Sequence, residues 1–338
     1  MKVWIFAKPP APTPPSITTQ PANQTITNGQ TATLTVAASG PAPLSYQWYQ
    51  GVKSTTSSPV GTNSTTFTTP ALTASTSYWV RVTNPYGFVD SNTAVVTVSN
   101  PGPQITSVSN AASNSPTIAA NTWVQIKGTN LATNTRQWQG SDFAAGQMPI
   151  QLDGVSALVN GKNAYIYYIS PTQVNILTPP DTLQGAVQVQ LTSGGVAGNS
   201  FPAQAQALSP SFFEFGGGPY LAATHLSGAY LGPTNLNLGI PTTPAKPGET
   251  VVLYGNGFGP TTVPVAAGSV VQTGTLPSSP LIMIGGLPAT VQFAGLISPG
   301  LFQFNVIVPN GVPDGDNAVV ATYAGVSTQA GALLNVAH

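Results

Sequence analysis

The sequence has 338 residues, of which 41% are hydrophobic and only 5% are charged, and its eight basic and eight acidic side chains cancel. An ordinary soluble domain carries about 25% charged residues, so Thr, Ser, Asn and Gln must supply most of this surface. The balanced charge argues against binding to nucleic acid or to an anionic membrane. The absence of Cys excludes disulfides and thiolate metal sites. An uncharged polar surface keeps its hydrogen bonding whatever the pH or salt, so we expect an extracellular or cell-surface protein. No apolar run reaches the roughly 20 residues of a membrane span.

The chain begins "MKVWIFAK", and residues 1–15 combine this apolar segment with a Pro-rich linker. The segment is too short for a signal peptide and lacks a small-residue cleavage site, which leaves a trimmed or incomplete N-terminus open. One interpretation is a subunit-docking strand that extends the sheet of a neighbouring copy. The alternatives are an edge strand folded back on its own domain and a remnant of a signal segment or of cloning. The residues of this candidate strand are Val3, Trp4, Ile5 and Phe6.

Residues 16–100 contain short runs in which apolar and polar residues alternate, such as "TATLTVAAS", "LSYQWYQ" and "SYWVRVTN". Alternation with period two, bounded by Gly, Pro, Asn or Ser, predicts antiparallel strands in a β-sandwich. The order of the runs resembles an immunoglobulin-like domain, with Trp48 at the core position of strand C and Tyr78 at the corner position of strand F. The resemblance places Val36 and Val80 where that family has paired cysteines. It therefore implies an apolar contact instead of a disulfide, as in bacterial immunoglobulin-like repeats of secreted proteins.

The remainder of the chain contains a diverged internal repeat. "WVQIKGTNL" from Trp123 corresponds to "VVLYGNGFG" from Val251, and "YISPTQVNILTPP" corresponds to "LISPGLFQFNVIVP". In each copy the apolar residues of the last motif alternate with one Gln and one Asn, for which we expect hydrogen bonds to a neighbouring loop or domain. The repeat predicts two related sandwiches, residues 101–209 and 210–338.

Both copies resemble the IPT/TIG immunoglobulin-like sandwich, in which a turn with Gly and a following Leu or Phe comes after the first strand. The second copy, "PAKPGETVVLYGNGFGP" through "ISPGLFQFNVIVPNGVPDGDNAVVATYAG", also resembles the C-terminal domain family of uncharacterised acidobacterial (Solibacter-type) secreted proteins. That family lends no catalytic residues, so the resemblance implies a fold and a secreted location but no mechanism.

Candidate catalytic and metal-binding residues are few. A serine-type triad needs a histidine base, and His225 is interpreted as a loop or edge histidine. The eight acidic residues are scattered and offer no pair for glycoside hydrolysis. Asp314 and Asp316 in "PDGDN" resemble part of a calcium loop, but they lack its later ligands and fit a turn. We therefore predict a protein that is not an enzyme and has no cofactor, with a surface calcium near these two aspartates as the alternative.

A polar loop, "TRQWQGSDF", contains an aromatic residue that needs a reason to be there. Trp138 could stack on a sugar ring, with Gln137, Gln139 and Asp142 as hydrogen-bond partners. The alternative is that Trp138 closes one end of its own sandwich core.

The sequence as a whole predicts an all-β protein of tandem immunoglobulin-like β-sandwiches, one immunoglobulin-like and two IPT/TIG-like. The predicted function is that of an extracellular structural or adhesive protein, with assembly into a surface filament through the N-terminal strand as its most specific form. The alternative is a carbohydrate-binding accessory region of a secreted hydrolase. The predicted partners are further copies of the chain, other surface proteins or polysaccharide.

Overall fold

A computed structural model describes residues 12–216, 218–234, 236 and 239–338. The regular secondary structure of these residues consists of β-strands joined by turns and loops, with a single 3-10 helix at Gly140–Asp142. The predicted all-β class is confirmed. Contacts divide the chain into two compact units, Met1–Pro101 and Gly102–His338, which are described separately. The candidate docking strand formed by Val3, Trp4, Ile5 and Phe6 lies outside the described residues.

The first unit is a sandwich of short strands, numbered here in chain order. They are β1 (Ser16–Thr19), β2 (Gln24–Thr27), β3 (Thr33–Thr35), β4 (Ala37–Ser39), β5 (Ser45–Gln50), β6 (Pro59–Val60), β7 (Thr66–Thr68), β8 (Thr76–Asn84), β9 (Gly87–Asp90) and β10 (Ala94–Ser99). One sheet has the order β2-β10-β8-β5-β6, in which β10 runs parallel to β2. Facing it are the pairs β1-β4 and β3-β7.

The core of the first unit forms around the residues on which the immunoglobulin-like resemblance rests. Trp48 and Tyr78 are buried, and the indole N–H of Trp48 donates to the backbone O of Ser64 at 2.9 Å. Val36 and Val80 are buried in the same apolar cluster. Apolar burial therefore occupies the place of a disulfide between the two sheets.

The second unit begins with a sandwich built from strands β11 to β21. They are β11 (Gln104–Asn110), β12 (Thr117–Ile118), β13 (Trp123–Thr129), β14 (Arg136–Gln137), β15 (Gln151–Leu152), β16 (Val155–Val159), β17 (Lys162–Asn163), β18 (Tyr165–Ile169), β19 (Gln173–Leu177), β20 (Gly185–Ser193) and β21 (Val196–Ala205). One sheet has the order β11-β13-β19-β18-β14 and the other β12-β21-β20-β16-β15. Their inward side chains form one continuous apolar core.

The remaining strands of this unit form a further layered sheet with its own core. They are β22 (Ser211–Phe212), β23 (Ala223–His225), β24 (Tyr230–Leu231), β25 (Thr242–Thr243), β26 (Thr250–Asn256), β27 (Gly274–Thr275), β28 (Leu281–Ile284), β29 (Leu287–Ser298), β30 (Leu301–Ile307), β31 (Gly315–Tyr323), β32 (Val326–Ser327) and β33 (Leu333–Val336). The order β25-β24-β23-β26-β30-β29-β28-β31-β32 passes from one layer to the other through the long strand β29.

The internal repeat corresponds to repeated strand pairs. β13 pairs with β19, and β26 pairs in the same antiparallel way with β30. The Gln and Asn of each copy differ from expectation, because they hydrogen-bond each other along their own strand. Gln173 Nε2 donates to Asn175 Oδ1 at 2.8 Å, and Gln303 Nε2 donates to Asn305 Oδ1 at the same distance. Residues two apart on a strand share one face, so the spacing itself makes this pair.

Close backbone approaches explain a glycine near the end of β13 and another directly after β26. A Cβ on Gly128 would lie 1.9 Å from the backbone O of Gln104, and a Cβ on Gly257 would lie 2.0 Å from that of Ser209. Glycine is therefore required where two backbones approach each other. The apolar residue that follows each turn, Leu131 or Phe258, is fully buried in its sandwich core.

Candidate functional site

The two Ile-Ser-Pro turns have different partners although their sequences match. In the first copy, the backbone O of Pro171 accepts from Leu131 N at 3.1 Å, so this turn contacts its own sandwich. In the second copy, the backbone O of Pro299 accepts from the indole N–H of Trp123 at 2.9 Å. Gly300 lies so close that a Cβ would be 3.0 Å from the Trp123 ring. The second turn therefore joins the two sandwiches.

A buried polar network adds to this junction. Asn110 Nδ2 donates to the backbone O of Ser209 at 2.8 Å and to Asn256 Oδ1 at 3.0 Å. Asn110 and Asn256 are both fully buried, so these bonds satisfy groups that would be costly to leave unpaired. Asn110 belongs to β11 and Asn256 to β26, which places the network between the repeated sandwiches.

Beside the junction lies a cleft of about 360 Å³, called here the aromatic cleft. Its aromatic wall is formed by the half-buried side chains of Trp123, Trp138 and Tyr167. The ring centroids of Trp138 and Tyr167 are 5.1 Å apart, those of Trp123 and Tyr167 are 5.6 Å apart, and the rings meet edge to face. Such edge-to-face pairs hold each ring in place. The wall is therefore fixed before any ligand arrives.

The other walls of the aromatic cleft are uncharged. They contain the amide of Asn175 and the hydroxyl of Ser298, with apolar contacts from Ala111, Phe213, Pro299 and Leu301. Asn175 Oδ1 accepts from Gln173, whereas its Nδ2 and the Ser298 hydroxyl have no hydrogen-bond partner within the residues described. The cleft thus combines stacking surfaces with two polar groups able to bind a ligand.

The structure separates Trp138 from the hydrogen-bond partners that the sequence suggested for it. Trp138 lines the aromatic cleft and also packs against the apolar core of its own sandwich, so features of both interpretations are present. Gln137, Gln139 and Asp142 are not part of the lining. Gln137 Oε1 accepts from the Tyr167 hydroxyl at 3.1 Å, and through this bond it positions one ring of the aromatic wall.

Asp142 is held by an arginine. Its two carboxylate oxygens accept from the Arg136 guanidinium at 2.7 and 3.0 Å, and Oδ2 also accepts from the Gln139 backbone N–H. These bonds lower the pKa of Asp142. Arg136 also binds both oxygens of Asp153 at 2.8 Å. The bonds from Arg136, with one from Asn134, lower the pKa of Asp153 from 3.8 to about 2.

His225 lies between an acid and a hydroxyl, an arrangement that sequence reasoning missed. Its Nδ1 contacts Glu249 Oε1, and its Nε2 is 2.8 Å from Thr243 Oγ1. The order of groups resembles that of hydrolytic triads. However, Thr243 is exposed on the short strand β25, and the same Glu249 carboxylate accepts from the Lys246 backbone N–H at 2.8 Å. The contacts join β23, β25 and the turn before β26.

Asp314 and Asp316 have protein partners. Asp314 Oδ1 accepts from the backbone N–H of His338 at 2.8 Å, and the contacts from His338 lower the pKa of Asp314. Asp316 accepts from the Tyr220 hydroxyl at 2.8 Å and from Asn335 Nδ2 at 2.6 Å. Within the part of the chain that is described, no group of three His, Cys, Asp or Glu side chains is placed to hold a metal ion. Among the same residues, no helix is long and apolar enough to cross a membrane.

Sequence reasoning identified Trp138 but missed the other residues that form the aromatic cleft, among them Trp123. A signal for it was present, since the second copy has no tryptophan in the corresponding strand, where the strand pairing places Thr250 opposite Ile307 as it places Trp123 opposite Leu177. A large aromatic residue in only one copy needs a partner that the other copy lacks. That partner is the turn at Pro299.

Two family models match parts of the chain. The immunoglobulin domain model matches residues 14–84, and the IPT/TIG domain model matches residues 103–209. The chain has an immunoglobulin-like plus IPT/TIG architecture. Domains of these two families are typically non-catalytic, commonly extracellular or at the cell surface, and they fit a structural or adhesive role. No curated protein matches the chain.

Solved structures similar to the chain include proteins built of immunoglobulin domains. The I-band fragment I67–I69 of titin is 11% identical, with 96% of this chain and 98% of that chain covered and a TM-score of 0.27. The SGBP-B protein of a Bacteroides ovatus mixed-linkage glucan utilization locus, solved with a heptasaccharide, is 13% identical with a TM-score of 0.31. That match covers 96% of this chain and 70% of the other.

Proposed function

We propose that the protein is a non-enzymatic extracellular structural or adhesive protein of bacterial origin, in which the sandwiches act as spacers and contact surfaces. The observation that supports this proposal best is the junction within residues 102–338. Trp123 bonded to Pro299, together with the buried network around Asn110, ties two sandwiches into one compact unit. A protein that transmits force or presents contact surfaces needs such fixed connections between its domains.

The surface composition also supports the proposal. With eight basic and eight acidic residues in 338, electrostatic repulsion between neighbouring copies is small. A protein that packs closely against other copies or against polysaccharide benefits from such a surface.

The most specific form of the proposal is a surface filament in which Val3, Trp4, Ile5 and Phe6 of one copy dock onto the next. Its test compares the full chain with a variant that begins at Ser16, by light scattering and negative-stain electron microscopy. We expect concentration-dependent assemblies of the full chain and monomers of the shortened variant. Identical monomeric behaviour of both proteins would refute docking by this segment.

A second candidate function is carbohydrate binding, as an accessory region of a secreted hydrolase. The observation that favours it is the aromatic cleft, because half-buried Trp and Tyr rings beside uncharged polar groups are what sugar stacking requires. Screening the full chain on a glycan array tests the candidate, and we expect Trp138→Ala to abolish any binding found.

A further inference from the structure

We propose that the aromatic cleft between the two repeated sandwiches is a binding site for a neutral oligosaccharide, with Asn175 and Ser298 as its hydrogen-bonding residues. The inference rests on the second candidate function and specifies its ligand class and its site. It differs from the sequence-based expectation, which placed the site in the Trp138 loop with Gln137, Gln139 and Asp142.

The aromatic wall supplies the stacking surfaces. Trp123, Trp138 and Tyr167 come from β13, the loop after β14 and β18, and their ring centroids lie within 5.8 Å of one another. Each ring is held by a second contact, for example the Trp123 indole bonded to Pro299 and the Tyr167 hydroxyl bonded to Gln137. A preorganised wall lowers the entropy lost when a ligand binds.

The polar groups define the kind of ligand. The Gln173 side chain occupies the acceptor atom of Asn175 and so orients its Nδ2 as a donor. The Ser298 hydroxyl, from the other sandwich, can donate or accept. A sugar hydroxyl can accept from Asn175 Nδ2 and also donate to the Ser298 hydroxyl, whereas a proline-rich peptide offers only carbonyl acceptors. The pattern therefore fits a polyhydroxylated ligand, which uses both roles of Ser298.

The absence of charged side chains from the lining specifies a neutral ligand. None of the nine lining residues is Lys, Arg, Asp or Glu. The nearby charged groups Arg136, Asp142 and Asp153 are bound to one another. A carboxylated sugar would lose hydration on entering the cleft without gaining an ion pair, so the cleft should select against it. Its volume of about 360 Å³ lies within the usual range of roughly 300–1,000 Å³ for ligand sites.

The duplication provides a matched control for the site. Asn305 makes the same bond with Gln303 that Asn175 makes with Gln173, both asparagines are half-buried, and Asn305 is not in the lining of the cleft. Tyr168 provides a second control, since it is half-buried in β18 next to Tyr167 and does not line the cleft.

The experiment titrates the full chain with cellohexaose, maltohexaose, mannohexaose and hexagalacturonate while recording tryptophan fluorescence and heat. We expect saturable binding of at least one neutral hexaose and none of hexagalacturonate. Asn175→Asp replaces the donor by an acceptor, so binding should weaken about tenfold, the upper range for one lost hydrogen bond. Tyr167→Ala should weaken binding at least as much. Asn305→Asp and Tyr168→Ala should bind as the unchanged protein does.

The outcomes distinguish failure of carbohydrate binding from failure of the aromatic cleft as the place where it occurs. If no neutral hexaose binds, carbohydrate binding itself fails along with the inference. If a hexaose binds but Asn175→Asp and Tyr167→Ala keep wild-type affinity, or weaken it no more than their controls do, carbohydrate binding stands and the aromatic cleft is the wrong site. Equal binding of hexagalacturonate refutes the neutral class. Binding of a peptide with the sequence KPPAPTPPS, competing with the hexaose and weakened by Asn175→Asp, would replace the sugar by a proline-rich ligand. Thermal unfolding of each variant checks that the fold is retained.

Discussion

At the scale of the residue, Arg136 orders the loop that carries Trp138. One guanidinium binds both oxygens of Asp142 and both oxygens of Asp153, and such paired bonds fix geometry more strictly than a point charge does. Asp142 in turn accepts from the Gln139 backbone N–H, on the residue after Trp138. A chain with only eight basic residues thus uses one of them to hold this loop beside the aromatic cleft.

The Arg136 cluster predicts a particular dependence of stability on pH. The pKa of Asp153 is lowered from 3.8 to about 2 and that of Asp142 is also lowered. The ion pairs of Asp142 and Asp153 therefore stabilise the fold fully at a pH above the ordinary pKa of these carboxyl groups. This stabilisation is lost as the pH falls through their lowered pKa in the folded protein. We expect the difference in melting temperature between the wild type and Arg136→Gln to be largest near pH 5 and to close toward pH 2. Calorimetry between these pH values measures it.

Lys162→Gln is the control for this prediction, because it removes an exposed pair with Asp181 whose contribution should be small at every pH. If Arg136→Gln lowers the melting temperature equally at pH 2 and at pH 5, the ion pairs are not the cause.

At the scale of the element, Gly128 near the end of β13 and Gly257 directly after β26 occupy the most constrained local positions. They allow β13 to approach β11 and the chain after β26 to approach the backbone of Ser209, with no room for a side chain. The buried Leu131 or Phe258 that follows depends on that approach, because the turn directs it into the core.

Gly128→Ala tests this constraint. A Cβ 1.9 Å from a backbone oxygen forces the strands apart, so the free energy of unfolding should fall by about 2 to 3 kcal/mol, as in overpacked cores. Gly140→Ala is the control, since a Cβ there would have no heavy atom within 4 Å. Urea titration compares the two variants, and equal stability of both would contradict the close approach.

The elements were largely predictable from the sequence, and the candidate site was predictable only in part. Alternation and the repeated motifs indicated the sandwiches because strand formation and burial follow a local period. The aromatic cleft depends on which surfaces of two sandwiches meet, and no local pattern encodes that. Trp138 was identified because an aromatic residue in a polar loop is conspicuous, whereas Trp123 lies within an ordinary strand pattern. Ser298 looked equivalent to Ser170 until the two turns proved to have different partners.

At the scale of the whole molecule, the unit Gly102–His338 contains two sandwiches that we expect to unfold together. Asn110→Ala leaves the oxygens of Ser209 and Asn256 buried without their donor, which should cost at least about 2 kcal/mol. The melting temperature of this unit should fall by roughly 5 °C, and protection against hydrogen exchange in β13 and β26 should decrease together. Asn305→Ala, away from the junction, should leave the coupling intact. Loss of protection in β13 alone would show that the sandwiches unfold independently.

The two Ile-Ser-Pro turns bear on how such proteins can be recombined. The first turn contacts its own sandwich and the second contacts Trp123 of its neighbour, so the copies are no longer interchangeable. A chain with two first copies would contain Trp123 without the Pro299 carbonyl that accepts from its indole. A chain with two second copies would contain the Pro299 turn without the indole that donates to it. The unit that evolution can transfer as a whole is therefore the first sandwich followed by the second. Gene shuffling that separated them would yield sandwiches whose contact surfaces lack their partners.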